Sequence, residues 1–360
     1  MVETNAVHSL GATSDVTADW CTSALADHLD GARVVSCTTT PVGTGQVSDT
    51  VRLALTYDPP DAGPPTLVAK VTAASEVSRA AALLTRTYEI EAAFYRDLAA
   101  ELPVRTPRCY LSAWSGADST YTVVLEDLAP AQQGDQMEGC SLDDAALALE
   151  EMALLHGPRW GDPALADLAW LHRSSPATVE RMQGMVATLS AGFLERLSDR
   201  LDPDVVTLTE QFVPRIGEYV GDQPRPWTVA HGDFRVDNLL FGGGRVAVVD
   251  WQTVVHGPGL ADLAYFLGAS LPVEDRRAHE RELVAGYHAR LTAAGVDLSL
   301  DDCWTGYRRF AFAGLIMAIV ASVLVERTER GDRMFVTMAN RHGRHALDLD
   351  AAALLAGPGA

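Results

Sequence analysis

The first third of the chain alternates apolar and polar residues in short runs, a pattern typical of strands with one buried face. Such runs predict strands at 33–42, 49–57, 66–70 and 119–128. Apolar residues at three- and four-residue steps predict a long helix over 76–101, and a shorter helix over 15–30 precedes the strands. Together these elements indicate a small antiparallel sheet with one main helix inserted into it.

The remainder of the chain follows the helical period instead. Helices are predicted at 141–156, 176–198, 203–220, 273–294, 301–328 and 333–355. A short β insertion at 228–251 interrupts them, and its three glycines at 242–244 predict a hairpin turn. The change of pattern, near 127–140, predicts an α+β fold of two lobes, a sheet-containing lobe over 1–128 and a helical lobe over 129–360.

Composition narrows the class of protein. The 360 residues carry 28 Lys and Arg against 48 Asp and Glu, which gives a net charge of −20. Nucleic acid is therefore not an expected partner, because Lys and Arg must neutralise the phosphates of its backbone. The five cysteines are scattered without a CxxC pair, which favours free thiols in a reducing compartment.

The longest apolar stretch, 310–325, has 16 residues, fewer than the about 20 that a membrane-spanning helix needs. We therefore expect a buried helix there and no membrane association. The N-terminus lacks the basic and then apolar layout of a signal peptide. These features predict a cytoplasmic protein.

Lysine occurs once in the chain, at Lys70, while 27 arginines carry the remaining positive charge. Lys70 closes the apolar run TLVAK at 66–70. A guanidinium is a broad planar fork and an ammonium is a compact point charge, so a narrow site between phosphate oxygens favours Lys. A bias of composition towards Arg explains why Lys is rare, but it does not explain the position of the one that remains.

The segment PVGTGQVSDT (41–50) lies between two predicted strands. Its Gly43 and Gly45 permit the backbone to approach phosphates closely, and Ser48 could donate a hydrogen bond to them. A GxG pair also occurs in many ordinary hairpins, so its position before two further strands and Lys70 carries more weight than the pair itself. A strand rather than a helix follows, which excludes a dinucleotide-binding fingerprint.

The densest set of chemical groups lies in HGDFRVDNLLF (231–241) and VVDWQ (248–252). The hairpin between them can return Asp250 to the vicinity of Asn238 and Asp233. Three oxygen-donor side chains would then converge, and oxygen ligands suit Mg²⁺, which takes its other ligands from water and nucleotide phosphates. The alternative interpretation is a polar hairpin stabilised by Asx turns and a salt bridge.

These motifs resemble those of the aminoglycoside phosphotransferase and choline-kinase-like superfamily, a distant branch of the protein-kinase fold, over roughly residues 35–270. The resemblance is greatest to the branch of ecdysteroid-kinase-like proteins and acyl-CoA-dehydrogenase-associated kinases. HGD, Asn, a short hairpin and Asp-Trp occur here in the same order as in the superfamily. Residue by residue, the resemblance implies that Asp233 is the catalytic aspartate and that Asn238 and Asp250 bind Mg²⁺.

The resemblance also implies that the nucleotide is ATP and indicates which residues bind it. Glu91 fits the superfamily's Glu before Phe-Tyr and should pair with Lys70, holding it towards the α- and β-phosphates, with Glu89 as the competing partner. The motif LEDL resembles the hinge, whose backbone at Glu126 and Leu128 would hydrogen-bond adenine.

Two roles are considered for each of three residues near the predicted catalytic aspartate. Arg235, two residues after Asp233, could stabilise charge on the transferring phosphate or form a salt bridge with Asp237. His231 is expected to brace the loop rather than act as a base. Asp262 would brace the catalytic loop through backbone N–H groups, or it would stabilise the first turn of a helix.

The predicted function is an ATP- and Mg²⁺-dependent kinase that phosphorylates a hydroxyl group of a small molecule. The nucleotide is expected between the lobes and the acceptor above Asp233. A protein substrate is not expected, because no activation loop or APE-like motif follows Asp250. A pseudokinase that binds nucleotide is one alternative, and a metal-dependent hydrolase using His231, Asp233 and Asp250 is another. The sequence determines neither the acceptor nor the oligomeric state.

Overall fold

The computed structural model describes residues 8–43, 47–221, 223–324 and 327–355. The chain divides into two compact units, one formed by Met1–Ala131 with Val248–Val254 and the other by Gln132–Ala247 with Val255–Ala360. The first unit holds a sheet of five strands and the second is mainly helical, as the sequence predicts. Residues 248–254, which the sequence assigns to the helical lobe, belong to the first unit.

An antiparallel sheet forms the centre of the first unit. Its strands are β1 (Arg33–Pro41), β2 (Ser48–Asp58), β3 (Thr66–Thr72), β4 (Cys109–Ser115) and β5 (Thr120–Glu126). They lie in the order β1-β2-β3-β5-β4, and each neighbouring pair is antiparallel. The sequence prediction omits β4, because its residues CYLSAWS show no clear alternation of apolar and polar positions.

One face of the sheet is apolar and buried. Leu53, Leu67 and Ala69 are fully buried there, in one core with Leu25 from the segment that precedes β1. Because side chains alternate between the two faces of a strand, Lys70 lies on the other face, where the sheet packs against a helix.

The segment before β1 contains the helix α1 (Ala18–Ala24), which begins after Thr17. The Thr17 hydroxyl accepts a hydrogen bond from the Trp20 amide at 3.1 Å, as the residue that caps a helix N-terminus does. A 3₁₀ turn at Ala26–His28 follows. The single helix predicted over 15–30 is therefore wrong in its length.

The single helix predicted over 76–101 is also wrong, because two helices occupy this region, α2 (Glu76–Leu84) and α3 (Thr87–Asp97). Arg86 between them has a left-handed backbone with φ of 60°, which interrupts a right-handed helix. The Arg86 guanidinium binds the first turn of α3, with Nε 2.9 Å from Glu89 Oε2. The break gives α3 its own direction, and α3 packs against β4 and β5.

The second unit is built mainly from helices. They are α4 (Leu142–His156), α5 (Pro176–Leu197), α6 (Pro203–Phe212), α7 (Ile216–Gly221), α8 (Gly259–Ser270), α9 (Val273–Ala293), α10 (Leu300–Arg309), α11 (Ala313–Leu324) and α12 (Glu329–Asp348). The helices predicted over 203–220 and 301–328 are each divided in two. Pro214 lies where the first of these helices is divided. Because proline lacks the amide hydrogen that a helix interior requires, the helix breaks there.

Short strands accompany these helices. They are β6 (Gln132–Gln133), β7 (His172–Arg173), β8 (Thr228–Ala230), β9 (Leu239–Gly242), β10 (Arg245–Val248) and β11 (Val255–Gly257). Between β9 and β10, Gly243 and Gly244 have positive φ of 59° and 71°, which confirms the predicted glycine turn. β8 pairs with β11, Ala230 opposite Val255, and it leads directly into the HGD motif.

Leu300–Leu324 is the one helical stretch, within the described ranges, that is long and apolar enough to cross a membrane. Inside the protein, 56% of its most apolar window is buried, and a core helix passes the same test of length and composition. On α11 the side chains of Leu315, Ala318 and Ile319 are fully buried, as expected for the buried helix predicted over 310–325.

Candidate active site

Lys70 lies at the centre of an ion cluster in the first unit. Its ammonium nitrogen is 2.7 Å from Glu91 Oε1 and 2.7 Å from Asp250 Oδ1. Glu91 lies on α3, whereas the competing residue Glu89 binds Arg86. The cluster is nearly enclosed, since 13% of the Lys70 side chain and 2% of the Glu91 side chain are exposed.

One ammonium group meets two carboxylates in this cluster. Burial opposes the charge on Lys70, but the carboxylates of Asp250 and Glu91 outweigh it and raise the pKa of Lys70 above its ordinary value. Lys70 therefore remains an ammonium group at neutral pH. The excess of one negative charge makes the cluster suitable for a further cation.

Tyr121 on β5 holds the Glu91 carboxylate from another side. Its hydroxyl donates to Glu91 Oε2, and its ring stacks on Tyr88 with 4.7 Å between centroids. Burial and the neighbouring Glu91 charge raise the pKa of Tyr121 well above its ordinary value, so the phenol keeps its proton. Sequence reasoning missed Tyr121, although alternation along β5 places it on the same face as Val123, the residue opposite Lys70.

Asp250 reaches Lys70 because the residue after it is anchored to α3. The Trp251 ring is fully buried and stacks on Phe94 with 4.0 Å between centroids. Trp251 Nε1 also donates to the Val248 carbonyl at 3.2 Å. Asp250 itself has a left-handed backbone with φ of 67°, which costs a non-glycine residue roughly 1–3 kcal/mol and is found most often at functional sites.

Three donors hold the Asp233 carboxylate in the second unit. Tyr265 Oη donates to its Oδ1 at 3.0 Å, while Asn238 Nδ2 and Arg235 Nε donate to its Oδ2 at 2.9 and 3.2 Å. Burial and the Asp233 charge raise the pKa of Tyr265 well above its ordinary value, so its hydroxyl remains a donor. Sequence reasoning missed Tyr265, which follows Asp262 by three residues and so shares one face of α8.

Asp262 braces the loop that carries Asp233, which confirms the first of its two predicted roles. Its Oδ2 accepts from the His231 amide at 2.6 Å and its Oδ1 from the Gly232 amide at 3.0 Å. The His156 ring contacts the same carboxylate, with Nε2 3.2 Å from Oδ2. Asp262 is 2% exposed, and these contacts offset the cost of burying its charge.

Arg235 binds two carboxylates. Its Nε is 3.2 Å from Asp233 Oδ2, and its Nη1 is 2.5 Å from Asp237 Oδ2. Nη1 also donates to Gln136 Oε1 at 3.1 Å. Burial opposes the guanidinium charge, but Asp233 and Asp237 outweigh it and raise the pKa of Arg235. The salt bridge to Asp237 is therefore present, and the same guanidinium also lies beside the aspartate assigned to catalysis.

The glycine segment between β1 and β2 is described in part. Gly43 has a positive φ of 74° and open space where a Cβ atom would lie, which suits close approach of a ligand to the backbone. Gly45 lies outside the described residues. Ser48 opens β2, is 7% exposed and pairs in register with Thr72. A hydrogen bond from Ser48 to a phosphate stays a prediction.

The hinge-like residues are tied to the strands around them. The Glu126 carboxylate accepts from Arg105 Nη2 at 2.9 Å and from the Arg108 amide at 3.1 Å. The Glu126 amide donates to the Arg108 carbonyl at 2.8 Å, and the Leu128 carbonyl accepts from the Ala131 amide at 2.9 Å. The Glu126 side chain therefore has its partners within the first unit, and adenine binding by this backbone stays a prediction.

The predicted chemical residues thus form two groups, each within one unit. The group in the first unit is Lys70, Glu91 and Asp250, and the group in the second unit is Asp233, Arg235 and Asn238. The predicted approach of Asp250 to Asn238 would join the two units, and it stays a prediction.

The oxygen donors in these groups fit Mg²⁺ chemically. Asn238 uses its amide nitrogen on Asp233, so its amide oxygen is the atom it can offer to a hard cation. Asp250 is the most exposed member of the ion cluster, at 29% of its side chain. Across the described part of the chain, no three His, Cys, Asp or Glu side chains form a group that could hold a metal.

Comparison with known proteins decides the family. The sequence profile described as "Phosphotransferase enzyme family" matches residues 45–299, well over half of the chain. The protein belongs to this phosphotransferase enzyme family. The match includes the residues of both groups, from Lys70 to Asp250. It confirms the superfamily expected from the sequence, whereas the particular branch stays a prediction.

Solved structures share the fold of this phosphotransferase family member at low sequence identity. A choline kinase from Cryptosporidium parvum Iowa II is 12% identical, with a TM-score of 0.57 over 88% of this chain and 90% of that one. A protein from Ralstonia eutropha JMP134 assigned as an aminoglycoside phosphotransferase is 17% identical, with a TM-score of 0.54 over 91% and 98%. A ternary complex of streptomycin, ATP and APH(2″)-IIa is 14% identical, with a TM-score of 0.50 over 90% and 94%.

No curated protein sequence matches the chain. The structural similarities confirm the predicted fold class, a protein-kinase-like fold with an antiparallel sheet in its N-terminal part and a mainly helical remainder.

Proposed function

We propose that this phosphotransferase moves the γ-phosphoryl group of ATP to a hydroxyl group of a small molecule. A bond forms between the acceptor oxygen and the γ-phosphorus, the bond from that phosphorus to the bridging oxygen breaks, and ADP leaves. The hydroxyl proton passes to Asp233. The observation that carries the proposal is the enclosed ammonium of Lys70, held by Glu91 beside Asp250, in a member of this family.

The names of the similar structures agree with the proposal. One is a ternary complex that contains streptomycin and ATP, and another is a choline kinase. At this level of identity the similarity carries the fold alone, so the case for ATP in this chain depends on its own residues.

Lys70 would bind the α- and β-phosphates of ATP. Its three hydrogen bonds go to the two oxygens of Glu91 and to Asp250 Oδ1, and an ammonium group has three donors. A phosphate oxygen would replace Asp250 as the third acceptor, while Glu91 and Tyr121 keep the ammonium in place. The exchange would release the Asp250 carboxylate for a cation.

Asp250 and Asn238 would hold Mg²⁺, which when bound neutralises charge on the phosphates. Asn238 is oriented for this by its two hydrogen bonds to Asp233, at 2.8 Å to the carbonyl and 2.9 Å to the carboxylate. Arg235 would add positive charge near the transferring group, because its guanidinium lies beside the Asp233 carboxylate.

Asp233 would accept a hydrogen bond from the acceptor hydroxyl and orient its oxygen. Tyr265 and Asn238 each bind a different oxygen of this carboxylate, which prevents it from rotating. Oδ2 already accepts from both Asn238 and Arg235, whereas Oδ1 accepts from Tyr265 alone and has a second acceptor site, so the hydroxyl can bind Oδ1 without displacing these donors. The proton would move late, since the transition state of phosphoryl transfer is loose and the acceptor oxygen becomes acidic only as its bond forms.

Measurement of ATP consumption across a panel of hydroxylated metabolites and antibiotics tests the proposal. With an active acceptor, Asp233→Asn should lower kcat by about 10²–10⁴-fold and leave ATP affinity, measured by calorimetry with and without Mg²⁺, nearly unchanged. Asp275→Asn, on the exposed surface of α9, is the matched control. Full turnover in Asp233→Asn would remove this residue from the mechanism, and tight ATP binding without turnover of any acceptor would favour the pseudokinase alternative.

A further inference from the structure

A cavity of about 270 Å³ lies within the second unit, bordered by α5, α7, α8 and α11. Much of its wall consists of apolar side chains, among them Val179, Met182, Val220, Ala261, Phe310 and Met317. Its volume is below the roughly 300–1,000 Å³ typical of sites for drug-sized ligands. The cavity therefore suits a compact ligand with an apolar body and is too small for a molecule of several sugar rings.

Part of the cavity wall belongs to the catalytic loop. Gly232 and Tyr265 line it, and the Tyr265 hydroxyl is 3.0 Å from Asp233 Oδ1. A ligand in the cavity would thus contact the residue before Asp233 and the tyrosine that binds the Asp233 carboxylate, although Asp233 itself is not among the described lining residues. This position makes the cavity the natural site for the acceptor.

Apart from Asp233, which would receive the hydroxyl group, the described lining offers no available carboxylate to a cationic ligand. Asp262 is the one acidic residue among its described lining residues, and its oxygens accept from the His231 and Gly232 amides. The aromatic residue Tyr219 could attract a cation, but the Arg309 guanidinium already lies 6.0 Å from its ring centroid. A second cation at this ring would be repelled.

Another part of the lining is polar and surrounded by positive charge. His256 lines the cavity and is 6% exposed, and its Nδ1 has no hydrogen-bond partner in the part of the chain that the structure describes. Arg173 lines the cavity beside it. Burial and the charges of Arg225 and Arg173 lower the pKa of His256, against an opposing effect of Asp162. The Asp162 carboxylate is itself bound by Arg159 at 2.6 Å.

We infer that the acceptor is a compact, mainly apolar alcohol that also bears an anionic group, as a hydroxycarboxylate does. The inference rests on the proposed function. The apolar body would contact the α5 and α11 side chains, and the hydroxyl would meet Asp233. The anion would accept a hydrogen bond from His256 and pair with Arg173, which supplies the buried imidazole with the partner that it lacks. A cationic acceptor of the choline or aminoglycoside kind is excluded.

Three alcohols of equal chain length test the inference directly. They are 8-hydroxyoctanoate, 1-octanol and 8-amino-1-octanol, which differ in the charge opposite the hydroxyl group. Dissociation constants from ligand-observed NMR on the intact protein should rank the hydroxycarboxylate tightest and the amino alcohol weakest, with about tenfold or more between them. Arg173→Ala should reduce that ratio several-fold, while the control Arg181→Ala, an exposed residue of α5 outside the cavity lining, should leave it unchanged.

Equal or tighter binding of the amino alcohol would overturn the inference, as would a ratio that Arg173→Ala does not alter. Binding of none of the three alcohols at about 1 mM would overturn it as well. Turnover is measured separately, by ATP consumption with each alcohol and with choline. Phosphorylation of choline without binding of the hydroxycarboxylate would leave the proposed function standing and end this inference. If the protein bound the alcohols with this charge preference but never bound ATP, the proposed function would fall and the charge preference of the cavity would stand.

Discussion

Tyr121 donates its hydroxyl hydrogen to Glu91, the same carboxylate that receives two hydrogen bonds from Lys70. The phenol approaches from β5 and the ammonium from β3, so Glu91 on α3 is held by two neighbouring strands. The position of α3 relative to the sheet and the position of the Lys70 ammonium are therefore coupled through one carboxylate.

Tyr121→Phe should loosen this coupling. A buried hydrogen bond to a charged group contributes roughly 1.5–3 kcal/mol, so the free energy of unfolding in urea should fall by about that amount and the KM for ATP should rise several-fold. Tyr57→Phe removes another buried hydroxyl, one that donates to the Pro64 carbonyl at 2.6 Å, and should alter stability alone. An unchanged KM for ATP in Tyr121→Phe would show that Glu91 needs no support from β5.

Lys70→Arg should lower kcat by about a hundredfold or more while the protein remains folded. The positive charge persists, but a planar guanidinium cannot replace a compact ammonium group between two carboxylates and a phosphate. Steady-state kinetics with thermal unfolding as the check on folding measures the effect. Kinetics like those of the wild type would mean that the only lysine of the chain owes its position to composition.

Asp262→Asn should displace the loop that carries Asp233. An amide in place of the carboxylate keeps one acceptor oxygen but directs N–H hydrogens at either the His231 or the Gly232 amide, leaving that buried donor without an acceptor, at a cost of roughly 1–3 kcal/mol. We expect a lower melting temperature and a kcat about tenfold lower, with ATP affinity by calorimetry unchanged. The exposed residue Asp167 supplies the control as Asp167→Asn. A kcat at the control level would limit Asp262 to stability alone.

The buried pair His342 and His345 should make the protein sensitive to acid. Burial, and then the positive charges of Arg341 and Arg276, lower the pKa of His342 from 6.5 to about 3, and burial lowers the pKa of His345 well below 6.5. Below pH 6.5 the unfolded chain binds protons that the folded chain does not, so the free energy of unfolding falls as the pH falls, by up to about 1.4 kcal/mol per pH unit for each histidine.

Urea unfolding of the wild type and of His345→Leu at pH 7.5 and 5.5 measures this dependence. The variant should lose less stability between the two pH values, because one of the two titrating groups is gone. His279→Asn, which changes a partly exposed histidine of α9 with no such burial, should follow the wild type. The same loss in all three proteins would assign the acid sensitivity to other groups.

The second group of site residues is predictable from sequence because its contacts are local. Asn238 and Arg235 bind Asp233 from five and two residues away, so the motif alone nearly fixes the arrangement. The contact of Lys70 with Asp250 spans 180 residues, and it was not predicted from the sequence. Tyr121 has no motif of its own, and its role emerges only when β5 is paired with β3.

The helices, like the site residues, are predictable only where the local sequence carries the signal. Apolar periodicity predicts where helical segments occur. It predicts where they break only when a helix-breaking residue such as proline or glycine is present. Pro214 is such a residue, and it lies where α6 ends. Arg86 is neither a glycine nor a proline, yet its backbone is left-handed and its side chain binds Glu89 in the next turn. The prediction of one helix over 76–101 therefore failed at this residue.

The stacking of Trp251 on Phe94 also determines when the first unit can finish folding during synthesis. Residues up to 131 leave the ribosome first, yet the unit they form still lacks 248–254. Until that piece emerges, the Phe94 ring has no indole to cover it and Lys70 has only one of its two acidic partners. An N-terminal fragment that stops at residue 131 would therefore carry an exposed aromatic surface, and Lys70 would meet Asp250 only after about half of the helical unit has been translated.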